Sequence, residues 1–111
     1  MVENCIFCKL VATPIPTVYE DEEFMAFHDL TPQAPVHVLV IPKAHFATLM
    51  HVADTGLMGR ALEAVKKTAQ TLGLADDGFR IVVNTGEDGG QTIAHLHFHL
   101  LGGRFMQWPP G

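Results

Sequence analysis

The sequence is poor in cysteine, in positive charge and in aromatic residues other than phenylalanine: 111 residues contain two Cys, one Trp and one Tyr. Two thiols cannot build the disulfide framework that staples small secreted domains, and in a reducing compartment they argue against a structural bridge. Seven Lys and Arg stand against twelve Asp and Glu, a formal net charge of −5, and no basic run is longer than Lys66–Lys67. The long-range attraction that draws nucleic acid or an anionic membrane is therefore excluded, and an anionic ligand would have to be held by local donors. No apolar run approaches the roughly 18–20 residues of a membrane span. The amino terminus, MVENCIFCKL, has neither the basic start nor the long apolar stretch of a secretory signal. These absences point to the cytoplasm, with neither nucleic acid nor membrane as a partner.

What is present is enough apolar residue, 48% of the chain, for one packed core, so residues 1–111 read as a single domain. Thr17–Glu20, Phe24–Asp29 and His37–Ile41 read as short strands, with a turn at Asp21–Glu23, a loop at Thr31–Pro35, and Pro42 ending the third. Asp54–Leu72 reads as the one long helix, its apolar stripe formed by Leu57, Ala61, Leu62, Val65, Ala69 and Leu72. Asp54 or Thr55 can cap its start, and Gly73 stands where a left-handed C-cap belongs. Gly59 weakens the helix and suggests close packing at that point. Strands at Phe79–Asn84 and Ala94–Leu101 complete an α+β pattern: an antiparallel sheet with the helix on one face.

The last strand carries the chemistry. In HLHFHLLGG, His95–Gly103, a histidine occupies every second position over its first half. A strand turns alternate side chains to opposite faces, so Leu96, Phe98 and Leu100 should pack on the helix and His95, His97 and His99 should share the open face. Burying adjacent imidazoles without a use for them is unfavourable. Two uses remain: a catalytic metal, since His-x-His on a strand suits zinc, or nucleophilic catalysis. Just upstream, NTGEDGGQT, Asn84–Thr92, supplies three glycines that let backbone N–H groups approach an anion, and Asn, Gln and Thr side chains that add neutral hydrogen bonds, which beside a histidine row reads as a phosphate cradle facing a nucleophile.

The block His95-Leu96-His97-Phe98-His99-Leu100-Leu101 resembles the motif of the histidine-triad (HIT) superfamily. FHDLTPQAPVHVLVIPKAH, VVNTGEDGGQT and LGGRFMQWPPG resemble its histidine-triad nucleotide-binding branch, and the likeness runs from Ile6 to Gly111. The resemblance implies a five-stranded antiparallel sheet with one long helix and a short amino-terminal helix, the sheets of two copies joining in a homodimer. It implies hydrolysis of purine nucleoside 5′-phosphoramidates and acyl-adenylates, with purine nucleoside monophosphate derivatives as ligands. Carried onto this chain, His97 would attack the α-phosphorus, and His99, Gly90, Gln91 and Thr92 would hold the phosphoryl oxygens. His37 would support the triad. Asp29 would take the ribose hydroxyls with Asn84 near the sugar and phosphate, and Ile6, Phe7, Phe27 and Leu30 would wall the base. Trp108, in a tail that otherwise reads as disordered, would cross to the partner subunit and shape its pocket. A nucleotide-binding scaffold with incidental hydrolysis and a dinucleoside polyphosphate hydrolase are the alternatives.

Cys5-Ile6-Phe7-Cys8 lacks the preceding strand of a thioredoxin-like redox site. Cys5 and Cys8 with His45 and His95 make a set of two cysteines and two histidines suited to structural zinc. Relatives carrying both the CxxC and the PKAH histidine imply the same, with His95 as a ligand and zinc dispensable for the chemistry; two reduced thiols are the other reading. His28 and His51 read as surface or packing residues.

Overall fold

The computed structural model describes residues 2–111. A short helix, α1 (Ile6–Ala12), is followed by β1 (Tyr19–Glu20), β2 (Phe24–His28) and β3 (Val36–Pro42). A 3₁₀ turn (Leu49–His51), the long helix α2 (Thr55–Thr71), β4 (Phe79–Val82) and β5 (Phe98–Gly102) complete the chain. The five strands form one antiparallel sheet in the order β1-β2-β3-β5-β4. This is the α+β arrangement of a five-stranded antiparallel sheet with one long and one short helix that the sequence leads one to expect. Among the described residues no helix is long and apolar enough to cross a membrane.

Strict alternation assigns the two faces of the sheet. Phe24 and Ala26 of β2, Val38 and Val40 of β3, and Leu96, Phe98 and Leu100 near the carboxyl end bury against Leu57, Ala61, Ala64, Val65 and Ala69 of α2. The face carrying Leu96, Phe98 and Leu100 is therefore the helix face, as their spacing predicts. The stripe on α2 differs from the expected one at three positions: Leu62 is exposed, while Ala64 and Thr68 are buried. Thr68 can be buried because its hydroxyl donates to the Ala64 carbonyl at 2.7 Å. Asp54 caps α2 by accepting the Gly56 N–H, and Gly73 takes the left-handed conformation just past its end. Gly59 is exposed with open space around it, so close packing is not its reason for being glycine.

The opposite face is not open, contrary to the expectation. Met25, Phe27, Leu39 and Ile41 of β2 and β3 are covered there by Cys5, Phe7 and Cys8 at the start of α1. Cys5 is itself the N-cap, its sulfur accepting the Cys8 N–H at 3.3 Å. Thr13 ends the helix in an extended conformation, as the proline after it requires.

The last strand begins four residues later than Ala94, so His95 and His97 precede β5 and only His99 lies on it. The cause is on its neighbours. Pairing of β3 with β5 stops at Val40 opposite Phe98, and pairing of β4 with β5 stops at Val82 opposite His99. Two residues further along β3 stands Pro42, which has no N–H to extend a ladder. The Leu96 N–H donates instead to the Phe46 carbonyl at 2.6 Å. The remaining strand ends shift by one or two residues: β1 lacks Thr17 and Val18, β2 ends at His28, β4 ends at Val82, and β3 runs from Val36 through Pro42.

Candidate active site and metal centre

His95, His97 and His99 share one side of the chain, and His37 joins them because it pairs with Leu101 across the β3–β5 ladder. Around them two groups form with different hydrogen-bond logic, and His97 stands between the two.

The first group is a buried cluster of Cys5, Cys8, His45 and His95. His95 Nδ1 lies 3.2 Å from Cys5 Sγ, 3.6 Å from Cys8 Sγ and 3.2 Å from His45 Nδ1, and His45 Nδ1 lies 3.3 Å from Cys8 Sγ. The other nitrogen of His95, Nε2, sits 2.8 Å from the Pro42 carbonyl oxygen. A carbonyl only accepts, so Nε2 carries the proton and Nδ1 turns a lone pair toward the sulfurs and the His45 ring. Tetrahedral zinc with bonds of about 2.0–2.1 Å to nitrogen and about 2.3 Å to sulfur sets N–N pairs about 3.3 Å and N–S pairs about 3.5 Å apart. The cluster has these separations, and Pro42 orients its histidine as outer partners of metal ligands do. Its donor set and geometry are compatible with zinc. Burial pushes the Cys5 thiol up and holds His95 below the ordinary histidine range, so both favour their neutral forms until a cation displaces the thiol protons.

The second group is Asp29, His37 and His99. His37 Nε2 lies 2.9 Å from His99 Nδ1 and 3.5 Å from Asp29 Oδ2. Its Nδ1 accepts the main-chain N–H of Gln33 at 3.0 Å. With Nδ1 used as an acceptor, the neutral ring keeps its proton on Nε2, and a metal at Nε2 would leave it with no N–H at all. The group is therefore a proton-donating chain rather than a metal site. Burial, with the neighbouring His97 and His37 rings, holds His99 down at about 4, and burial lowers His37 against the opposing pull of Asp29.

His97 lies between the groups. Its Nδ1 stands 2.7 Å from the His95 carbonyl oxygen and so carries the proton. Among the described residues nothing pairs with its Nε2, and no buried side-chain nitrogen or oxygen is left without a partner. That lone pair accordingly reaches solvent. The His99 ring is 5.0 Å away, centre to centre. Phe7 packs edge-on against both His97 and His95, with centroids 5.3 and 5.8 Å apart.

The remaining predicted site residues divide clearly. Asp29 Oδ1 accepts the Thr31 N–H in a turn, which leaves Oδ2 facing His37. Leu30 is fully exposed and Ile6 more than half so, whereas Phe27 is buried edge-on to Phe7. Asn84 Nδ2 donates to the Gly89 carbonyl, and Gly90 adopts a left-handed turn conformation beside it. Gln91 has no free amide group: Oε1 accepts the Gly86 N–H, and Nε2 donates to the Ala47 and Ile93 carbonyls. Its side chain staples the hairpin. Thr92 is exposed. Trp108 is largely exposed, with the Arg80 guanidinium 5.9 Å from its ring centre and Arg80 donating to the Gln107 carbonyl. His28 and His51 are on the surface, as expected. Main-chain groups of Gln33, Pro42 and His95 set the ring tautomers, and residue types alone carry no signal of them. A cavity of about 690 Å³ between α2 and the β1–β2 hairpin, lined in part by Tyr19, Lys43, Arg60 and Lys67, holds none of these histidines.

An α+β fold that sets an unprotonated imidazole nitrogen beside a second imidazole, next to a thiol–imidazole cluster, defines a class of histidine-site proteins. The chain belongs to the HIT domain family, whose pattern it matches over residues 12–106. It is 50% identical over its full length and theirs to an uncharacterized HIT-like protein of Synechococcus elongatus. It is 47% identical to a 14 kDa zinc-binding protein of Brassica juncea, covering 97% of this chain and all of that protein. A solved HIT family hydrolase from Legionella pneumophila superposes with a TM-score of 0.90 at 48% identity, covering 97% of this chain and all of the other.

Proposed function

We propose that the protein is a nucleoside phosphoramidate hydrolase of the histidine-triad nucleotide-binding branch, acting on purine nucleoside 5′-phosphoramidates and acyl-adenylates. The observation that carries this reading is the 2.7 Å contact between His97 Nδ1 and the His95 carbonyl, which leaves His97 Nε2 unprotonated beside His99. Nε2 forms a bond to the α-phosphorus while the bond to the leaving group breaks: a phosphoramidate loses its nitrogen as an amine that takes a proton from solvent, and an acyl-adenylate loses a carboxylate by cleavage of its phosphorus–oxygen bond. Water then attacks the nucleotidyl-histidine, releasing the nucleoside monophosphate and restoring the ring. His99, carrying its proton on Nε2, donates to the phosphoryl oxygens as negative charge builds on them.

Asp29 Oδ2 accepts from the ribose hydroxyls. The exposed Ile6 and Leu30, with Phe27, supply apolar surface for the base. Gly90, Thr92 and the hairpin main chain cradle the phosphate; Gln91 and Asn84 hold that hairpin in shape. Cys5, Cys8, His45 and His95 would hold zinc, which would supply rigidity beneath the nucleophile without entering the bond-making steps. The protein works in the cytoplasm as a homodimer. Supporting the dimer, β4 is an edge strand whose Phe79 and Ile81 are each more than a third exposed, an edge suited to pairing with a second sheet.

Rapid quench with adenosine 5′-phosphoramidate, followed by mass spectrometry, tests the reading. A nucleotidyl adduct on His97 supports it. Turnover of dinucleoside polyphosphates alone, or nucleotide binding without turnover, would overturn it.

A further inference from the structure

Arg104 lies just past β5, outside the histidine face, and is joined to the His37–His99 pair by an unbroken series of contacts. Its Nη2 donates to the Gln33 carbonyl at 3.1 Å. The Gln33 N–H donates to His37 Nδ1 at 3.0 Å, and His37 Nε2 meets His99 Nδ1 at 2.9 Å. The fold brings these parts together: β3 and β5 are antiparallel neighbours with Val36 opposite Gly102, so the loop entering β3 and the tail leaving β5 emerge side by side. Gly103 secures the approach. It has φ of +91°, and a β-carbon there would stand 2.8 Å from Pro35 Cβ.

A neutral imidazole has one donor and one acceptor nitrogen, and which is which depends on its partners. The Gln33 N–H makes Nδ1 of His37 the acceptor, so Nε2 is the donor. That donor makes His99 Nδ1 an acceptor, so His99 keeps its own proton on Nε2, the nitrogen left for a ligand. Nothing in either ring dictates this choice. It originates in the Gln33 N–H, with the more distant Asp29 Oδ2 at 3.5 Å from Nε2 favouring the same form; the exposed Gln33 loop is also tied by Gln33 Nε2 to the Thr31 carbonyl.

We propose that Arg104 is a positioning residue: by clamping the Gln33 carbonyl it holds the Gln33 N–H on His37 and so fixes His99 as an Nε2–H donor. The kinetic consequence rests on the hydrolase reading above; the tautomers do not. Release of the clamp lets the loop move, frees His37 Nδ1, and allows the His37–His99 pair to reverse. His99 would then offer a lone pair, rather than a proton, to an anionic phosphoryl oxygen.

The test is ¹⁵N NMR of the imidazole nitrogens in the full, ligand-free chain at neutral pH, for wild type, Arg104→Ala and Arg104→Lys. Wild type should show both His37 and His99 as Nε2–H. Arg104→Ala should give both rings a measurable Nδ1–H fraction, and Arg104→Lys should restore part of the wild-type pattern. With adenosine 5′-phosphoramidate, kcat of Arg104→Ala should fall about 10- to 100-fold at nearly constant KM. His99 as Nδ1–H in wild type, or unaltered tautomers in Arg104→Ala, would overturn the proposal. A raised KM with unaltered tautomers would do so too, assigning Arg104 to substrate binding. Shifted tautomers in a protein that never turns over the phosphoramidate would support the clamp and sink the hydrolase reading alone.

Discussion

The main-chain carbonyl of His95 and Nδ1 of His97 are 2.7 Å apart, so one histidine orients another through its backbone while its own ring faces the two cysteines. One residue thus links the metal-type cluster to the ring proposed as the nucleophile. His97→Ala should retain nucleotide binding and lose turnover by a factor on the order of 10⁴ or more, as removal of a nucleophile does in other covalent enzymes. His99→Ala should keep a measurable fraction. Single-turnover kinetics with a mass measurement of the trapped adduct check both; burst kinetics surviving in His97→Ala would refute the assignment.

Metal content is the second expectation. Purified protein should carry about one zinc per chain, and Cys5→Ser should lose both metal and thermal stability. Ligation that exists only in the folded state adds directly to stability, so a fall in Tm of about 10 °C or more is expected. Elemental analysis and calorimetry with and without a chelator measure it. A metal-free protein of full stability and activity would remove zinc from the account.

Acid should destabilise the fold earlier than carboxylates alone would dictate. Burial holds His99 at about 4 and also lowers His37, whereas an unfolded histidine titrates near 6.5. Between about pH 6.5 and 4 the unfolded chain therefore binds more protons than the folded one, and stability declines as pH falls. Each such histidine adds a slope of up to about 1.4 kcal/mol per pH unit. Urea titrations across this range, compared with His99→Gln, should show the slope reduced in the variant; equal slopes would contradict the expectation.

Phe7 is 4% exposed and rests edge-on against His95, His97 and Phe27. Phe7→Ala should cost about 3–5 kcal/mol, the usual range for an aromatic ring removed from a core. Phe7→Leu, which refills much of the volume, should fold well and still lose kcat through a looser His97. Denaturation and steady-state kinetics on the two variants separate packing from positioning. Unchanged kcat in Phe7→Leu would show that Phe7 only fills space.

The tail should be dispensable for folding but not for selectivity. Phe105 and Trp108 are 86% and 79% exposed, so removing residues 105–111 leaves the core intact. Its deletion should change preference among leaving groups more than it changes dimerisation. Sedimentation and a panel of phosphoramidates and acyl-adenylates decide it, and identical kinetics on the whole panel would make the tail irrelevant.

The sequence by itself determined the succession of the five strands along the chain, the caps of α2 and the division of Leu96, Phe98 and Leu100 from the histidines. All of these follow from periodicity and from Gly, Pro and Asp at chain ends, which act over a few residues. The four-residue delay of β5 depended on a proline in another strand. The cover on the histidine face depended on seven residues of α1 docking across the sheet. Only the tertiary structure decided the tautomers, because Pro42, His95 and Gln33 act through main-chain groups that every sequence possesses. It also took the fold to bring Cys5 within 3.2 Å of His95, 90 residues away, and to engage the Gln91 amide with Gly86 and Ile93 nearby and with the distant Ala47 carbonyl. Which residues could do chemistry is a matter of side-chain type and local spacing; which nitrogen of each ring holds the proton is set by partners that only long-range packing supplies.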